Sequence, residues 1–309
     1  MEHPTLGRML VIANPRAGSG SSDVLARLVA ALATHDIVPS VVETRAAGDA
    51  TIIAREAVES GARFIVAVGG DGTVHEVVNG LLDAEAGIVR GDDPVLGIVS
   101  AGSGCDLVRT FGLDRPPEVV ARHLAGPQTI RIDVGRMRLT GTDGRPSLRV
   151  FVNVAEVGFG GAVATAARRL PARLGARRYT VGIVAAWGRF RRVDMVVRHD
   201  GGVHEAALCN VVVANGQFFG GGLKVAPRSL PDDGRFDVQA WGGSPTDVVR
   251  AARQLRDGSH LQRSDVRAWP SATVVVEAER AVAVEADGEL LGSSPVHFDV
   301  LPKALAFKV

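Results

Sequence analysis

Three glycine-rich stretches each follow an apolar run: Asn14-Pro15-Arg16-Ala17-Gly18-Ser19-Gly20, Gly69-Gly70-Asp71-Gly72-Thr73-Val74-His75-Glu76 and Ser100-Ala101-Gly102-Ser103-Gly104-Cys105-Asp106. Glycine leaves main-chain N–H groups open to an anion because no Cβ stands in the way, and a helix starting at such a loop adds partial positive charge. That charge is worth roughly 0.3–1 kcal/mol per exposed anionic group. One such loop is an ordinary strand-to-helix turn; three along one sheet edge suggest a polyphosphate. Neither the dinucleotide pattern G-x-G-x-x-G nor the P-loop pattern G-x-x-x-x-G-K-[ST] occurs, so both of those sites are disfavoured. Near the other end, Ala286-Asp287-Gly288-Glu289 sets two carboxylates two residues apart. In strand-like backbone they share a face, as a metal partner and a base must; as a polar hairpin tip they bind nothing.

These residues need elements to hold them. Residues 9–13 read as a short buried strand, and Ser21 and Ser22 open an amphipathic helix with Leu25, Leu28, Val29 and Leu32. Further apolar runs start near Val38, Arg63 and Val95, with helix-like segments at 49–60, 73–83 and 116–125. Such alternation predicts a parallel sheet with covering helices, whose loops at the strand C-termini take ligands. After about Ile130 the texture turns to β-rich runs at 130–139, 148–154, 193–198, 206–214, 235–240, 272–277 and 281–286, which predicts antiparallel pairing. Residues 161–192 read as helical, and 245–257 as an amphipathic helix after Ser244-Pro245.

The chain has 309 residues, about twice the usual ~150-residue domain, so two domains or one large one is the prior. With 35 basic against 34 acidic residues, global charge points to neither a nucleic-acid binder nor an acidic-ligand protein. The two cysteines, Cys105 and Cys209, are too few for a disulfide framework or a cysteine zinc site and fit a reducing cytosol. No run reaches the ~18 apolar residues of a membrane span. Between Val157 and Val193 there is no acid, while Arg168, Arg169, Arg173, Arg177, Arg178, Arg189, Arg191 and Arg192 alternate with apolar residues. That segment suits either an anionic lipid surface, at about 1 kcal/mol per arginine, or a solvated helix face paired with acids elsewhere.

Gly69-Gly70-Asp71-Gly72-Thr73, between the strand-like 64–68 and the helix-like 74–82, resembles the nucleotide signature of the diacylglycerol kinase catalytic family. That family also holds sphingosine, ceramide and bacterial lipid kinases and sits in the NAD kinase-like superfamily. The resemblance runs through Asn14-Pro15 with Gly18, Thr44 after the second strand, the third loop, Asp233-Gly234, and Ala286-Asp287-Gly288-Glu289. It implies an α/β plus all-β fold: a three-layer α/β ATP-binding domain over 1–131, to which 296–309 could return, and an antiparallel β-sandwich domain over 132–295. The active site would lie in the cleft between them.

The resemblance implies that Asn14, Pro15, Arg16, Ala17, Gly18, Thr44, Gly70, Asp71, Gly72, Thr73, Val74, His75, Glu76 and Ser103 surround ATP. An aspartate facing a triphosphate is repulsive without a cation between them, so Asp71 reads as a Mg²⁺ partner, or else as a cap on the helix that follows it. Glu76 suits the dipole of its own helix, and His75 reads as a surface residue. The family's structural Mg²⁺ loop corresponds to Asp233 with the carbonyls of Leu230 and Arg235, a stretch that also reads as a plain Asp-Gly turn. Glu289 would be the general base and Asp287 its orienting or metal partner. One departure stands out: where the family's third loop carries Asn, this chain has Cys105, a weaker hydrogen-bonding group.

The expected activity is transfer of the γ-phosphoryl of ATP to a lipid hydroxyl, diacylglycerol first, by a cytoplasmic protein peripherally attached to the membrane. No nucleic-acid partner is expected, and a homodimer is an option by analogy. The alternatives are an NAD kinase-like enzyme with a soluble acceptor and a nucleotide-binding regulator without catalysis. Residues 154–159 and 217–219 are candidate apolar walls for a lipid.

Overall fold

A computed structural model describes residues 6–18, 20–101, 105–170, 177–187 and 190–309. The chain divides into two compact units, one of Met1–Val134 with Leu301–Val309 and one of Gly135–Val300.

In the first unit the order is β1 (Met9–Ala13), α1 (Ser21–Ala33), β2 (Ser40–Glu43), α2 (Asp49–Glu59), β3 (Phe64–Gly69), α3 (Asp71–Leu81), the small ribbon β4 (Leu82–Asp83) and β5 (Ile88–Val89), β6 (Val95–Ser100), α4 (Asp106–Thr110) and α5 (Pro117–Ala125). The strands β2, β1, β3 and β6 lie side by side, all parallel, and Ala306 and Phe307 add a parallel pairing on β6. Every residue of β3 is buried, as a strand covered on both faces must be. Leu28 and Leu32 of α1 meet Val120, Ala121 and Leu124 of α5 in one core with Val11, Val66 and Val68. Helices α2 and α3 pack together, closely enough that a Cβ at Gly80 would stand 2.5 Å from the Thr51 carbonyl oxygen. The apolar run near Val38 becomes a strand only at Ser40 and is largely exposed; β2 is an edge strand, paired on the β1 side alone.

The second unit is antiparallel. The strand β7 (Thr129–Gly141) leads into it and is followed by β8 (Pro146–Phe151), β9 (Val154–Gly158), α6 (Phe159–Arg168), α7 (Arg177–Trp187), β10 (Val193–His199), β11 (Gly202–Leu208), β12 (Asn210–Ala214), β13 (Phe236–Trp241), α8 (Pro245–Arg250), β14 (Val266–Ser271), β15 (Thr273–Ala278), β16 (Ala283–Ala286) and β17 (Glu289–Lys308). Strands β14, β13, β12, β9 and β16 are neighbours in that order, while β17, β15, β10 and β11 continue the pairing. Val157, Val211 and Val238 from the first group share a core with Met195, Val276 and Phe298 from the second, the packing of a β-sandwich. Phe151 stacks on Phe236 at 5.6 Å and meets Phe298 edge-on at 6.0 Å.

Further element expectations change, among them the strand run 148–154, which is split between β8 and β9. The run 206–214 is broken at Cys209, where a buried cysteine separates β11 from β12. The helix foreseen over 245–257 ends at Arg250 and gives way to a 3₁₀ turn at Gln254–Arg256. Its start is well specified: the Ser244 hydroxyl accepts from the Asp247 amide while the Asp247 carboxylate accepts from the Ser244 amide at 2.9 Å. No helix among the described residues is long and apolar enough to cross a membrane.

Candidate active site

The first and second glycine loops are tied together by side chains. Asn14, just past β1, donates from Nδ2 to the Thr73 hydroxyl at 3.2 Å and accepts at Oδ1 from the Arg16 amide at 2.9 Å. Its carbonyl accepts from the Ser21 hydroxyl at 2.7 Å, which closes the loop that contains Pro15, Ala17 and Gly18 onto the start of α1. Arg16 is exposed and its guanidinium reaches the Arg45 carbonyl at 3.0 Å. Thr44 is buried at the end of β2, its amide bonded to the Ala13 carbonyl at 2.9 Å.

Gly69 is where the second loop turns, and it has no room for a side chain: a Cβ there would lie 2.3 Å from the Thr73 hydroxyl oxygen. Gly69→Ala is therefore expected to push Thr73 off Asn14 and destabilise the fold by about 1–3 kcal/mol. Thermal unfolding measures it, together with ATP titration, which should weaken in parallel; an unchanged melting temperature would contradict the packing described. Gly70 then caps α3 in extended backbone, and Asp71, Gly72 and Thr73 form its first turn.

The carboxylate of Asp71 reaches beyond the helix it begins. Its Oδ1 accepts from the Asp106 amide at 2.8 Å, so it caps α4 and pins the end of the third loop to the second. Asp106 itself is buried and takes the Arg109 guanidinium at 3.2 Å. His75, read as a surface residue, is 5% exposed, with Asn79 Nδ2 donating to its carbonyl at 2.8 Å. It is on the face of α3 turned to the core, alongside Val74 and Val78. Glu76 reaches past its own helix: its two oxygens accept from the Gly48 and Ala50 amides at 2.8 and 3.1 Å and cap α2. Ser103, with Gly102 and Gly104, lies outside the described residues.

Cys105 is a core residue at the entrance to α4, 1% exposed. Burial first, then the charges of Asp71 and Asp106, push its thiol well above the ordinary range. It is a neutral packing group.

In the second unit, Asp287 and Glu289 part company. Asp287 and Gly288 both have left-handed backbone, φ 51° and 82°, and form a two-residue turn that pairs Ala286 with Glu289. The alternation that would put both carboxylates on one strand face does not apply across such a turn. Asp287 is 5% exposed and accepts from the amides of Val152 and Asn153 at 3.2 and 3.0 Å, holding the corner between β8 and β9. Glu289 is exposed at the first position of β17. Asn153 and Asn215, which the sequence reading did not single out, complete the corner: Asn153 Nδ2 donates to the Phe218 carbonyl and Asn215 Nδ2 to the Val152 carbonyl, each at 2.9 Å.

Residues 154–158 are wholly buried, so they offer no open apolar wall, and Glu156 among them faces Glu285 in register. Asn210 Nδ2 donates to Glu156 at 2.6 Å. Burial pushes the Glu156 carboxyl above its ordinary range, against the bonds from Glu285 and Asn210. A raised carboxyl means the folded chain holds its proton longer than the unfolded chain. Stability from this group is thus full below the ordinary value of 4.5 and falls as pH rises through that value toward the folded one. Glu156→Gln should flatten the decline of melting temperature over that window; an unchanged slope would refute the assignment.

Among the described residues no three His, Cys, Asp or Glu side chains group as a metal site. The Leu230–Arg235 loop has a different donor set: the exposed Asp233 carboxylate, with the Leu230 and Arg235 carbonyls nearby in sequence. Asp233 Oδ1 accepts from the Arg235 amide at 2.9 Å, and Gly234 takes φ 75°. This is an Asp-Gly turn whose oxygen-only donors suit a hard divalent cation that keeps most of its waters.

Of the arginine-rich segment, Arg173 and Arg189 lie outside the described residues, and only the backbone of Arg168, Arg177 and Arg178 is described. Arg169, Arg191 and Arg192 are exposed. Helix α7 also exposes apolar groups: Val181, Ile183, Val184 at 64% and Trp187 at 46%.

Residues 8–137 match the diacylglycerol kinase catalytic domain, and residues 153–309 match the YegS C-terminal NAD kinase beta sandwich-like domain. A diacylglycerol kinase of Mycobacterium tuberculosis is 29% identical over 308 residues, covering 97% of this chain and 94% of that protein. A probable lipid kinase YegS-like of Chromohalobacter salexigens is 29% identical over 269 residues, 84% of this chain and 79% of that one. A crystal structure from Bacillus anthracis str. Sterne superposes with a TM-score of 0.75 at 25% identity, over 97% of this chain and 96% of that one. One domain match covers the α/β unit and the other the β-sandwich unit, and the chain belongs to the diacylglycerol kinase and YegS family of lipid kinases.

Proposed function

We propose that the chain transfers the γ-phosphoryl of ATP to the hydroxyl of diacylglycerol and releases phosphatidic acid and ADP. The observation that carries the ATP half is the binding together of the glycine loops after β1, β3 and β6 by Asn14–Thr73 and Asp71–Asp106. This linkage ties the described ends of these loops together at the strand C-termini, where anions are received. Diacylglycerol is favoured as acceptor by the Mycobacterium tuberculosis relative, which carries that name and aligns over nearly the whole chain.

In this reading Asn14–Gly18, Thr44, Gly70–Glu76 and Ser103 form the ATP site. Main-chain amides of the loops bind the phosphates, while Glu76, His75 and Val74 hold the loop from behind. Mg²⁺, when bound, would offset the charge on the triphosphate; Asp71 would partner it, and Leu230, Asp233 and Arg235 would hold a second, structural ion. Glu289 takes the proton of the acceptor hydroxyl as its oxygen bonds to the γ-phosphorus and the bond from that phosphorus to ADP breaks. Asp287 supports the tip that carries Glu289 by tying it to the Val152 and Asn153 amides. The exposed apolar side chains of α7, flanked by arginines, would rest on an anionic membrane surface and bring a cytoplasmic protein to its substrate.

The test is transfer of labelled γ-phosphate from ATP and Mg²⁺ in mixed micelles, with separate reactions supplying diacylglycerol, a sphingoid base or NAD. Label in extracted phosphatidic acid is the expected result. Label on the sphingoid base would move the acceptor to another lipid alcohol. Label in the nucleotide fraction would favour an NAD kinase-like enzyme, and ATP binding without transfer a regulator.

A further inference from the structure

The second unit holds a cavity of about 730 Å³ whose lining mixes polar and apolar groups. Its walls come from the β10–β11 hairpin, from β14 and from Arg235 just before β13. In the hairpin Val197 pairs with His204, and His199 lies two residues on, so both imidazoles stand on the face that carries Val197 into the core. On β14, Trp269 pairs with Val238 and packs half-buried against the same core. Its indole stacks on His199 at 4.7 Å and 21°, and lies 5.1 Å from His204.

The wall carries two guanidiniums and one carboxylate, that of Asp200. Arg235 and Arg267 both line it, and no ion pair joins either to a carboxylate among the described residues. The carboxylate of Asp200 is taken up by the connection between β14 and β15. It accepts from the Ala272 amide at 2.6 Å, the Thr273 amide at 3.3 Å and the Thr273 hydroxyl at 2.6 Å, and these bonds, the hydroxyl first, keep it below the usual range. His199 Nδ1 accepts from the Gly201 amide at 3.2 Å, which leaves its other ring nitrogen as a donor. Burial, then the Arg267 charge and His199, lower the His204 imidazole.

We propose that this cavity is an anion site for a phosphomonoester, with Arg267, Arg235, His199 and His204 as donors around the flat face of Trp269. Two guanidiniums and two imidazoles supply more donors than one carboxylate can accept, whereas a phosphomonoester presents three acceptor oxygens in the geometry guanidinium forks match. The volume is that of a small-molecule site. The same group reaches the protein free in solution or on a lipid headgroup. The inference does not depend on the kinase reading, and either can fail alone.

The test uses the full chain, histidine ring NMR and calorimetry. Inorganic phosphate is titrated at ionic strength held constant with chloride, and vesicles of phosphatidylcholine with or without phosphatidate are run in parallel. Saturable shifts of the His199 and His204 signals are expected, and Arg267→Gln should weaken binding about tenfold or more, since a charge-assisted bond is lost. Shifts with free phosphate would assign the solution ligand, and shifts only with phosphatidate vesicles the headgroup. Shifts reproduced by chloride, no shift in either arm, or an Arg267→Gln variant that binds as tightly as the parent would overturn the site. His204→Gln provides the same reading should Arg267→Gln not fold.

Discussion

Glu289→Gln is expected to lower lipid phosphorylation about 10²–10⁴-fold, the usual contribution of a positioned general base. The change keeps the shape of the side chain and removes only its capacity to take a proton. Because Glu289 is exposed beyond the Asp287–Gly288 turn, stability should stay within about 0.5 kcal/mol of the parent. Binding of ATP, which this account assigns to the first unit, should be unchanged. Initial rates on extracted lipid, thermal unfolding and an ATP titration on the same preparation separate these effects. A variant that retains parental turnover would remove Glu289 from the chemistry and leave the tip with a purely structural role.

The second large effect is at Asp71, where two roles can be separated by two substitutions. Asp71→Asn keeps an oxygen that can accept from the Asp106 amide but loses the negative charge. Asp71→Ala loses both. If the charge acts on Mg²⁺·ATP, Asp71→Asn should reduce turnover about 10²–10³-fold, the range for removing one preorganised electrostatic group. Its melting temperature should stay near the parent value. Asp71→Ala should show the same loss of turnover and an additional stability cost of about 0.5–2 kcal/mol from the lost helix cap. Turnover intact in Asp71→Asn and lost only in Asp71→Ala would mean that the cap, and not the charge, is what the reaction needs.

The parallel half of the first unit could be read directly because its strands are short apolar runs that end in glycine loops, and that pattern is local. What was not legible is what those loops hold on to. Glu76 follows a helix start in the sequence and suits that helix's dipole, yet its carboxylate closes α2, twenty-six residues upstream at Ala50. His75 looks polar and therefore exposed, but its position on α3 turns it inward with Val74 and Val78. Asp287 and Glu289 have the spacing of a strand face; the left-handed backbone at Asp287, which the Asp-Gly dipeptide permits, cancels that geometry. Only the end of β17 is legible in the sequence, as a run that could return to the first domain; Gly292, Pro295 and Pro302 interrupt the rest. The Glu156–Glu285 pair is invisible in one dimension: 129 residues separate two carboxyls that register places side by side.

The most direct measurement of the central claim is phosphorus NMR of a reaction containing the full chain, ATP, Mg²⁺ and dispersed diacylglycerol. The expected result is a lipid phosphomonoester signal in the extract that grows in step with ADP. ADP accompanied only by inorganic phosphate, or no ADP at all while ATP is bound, would contradict it.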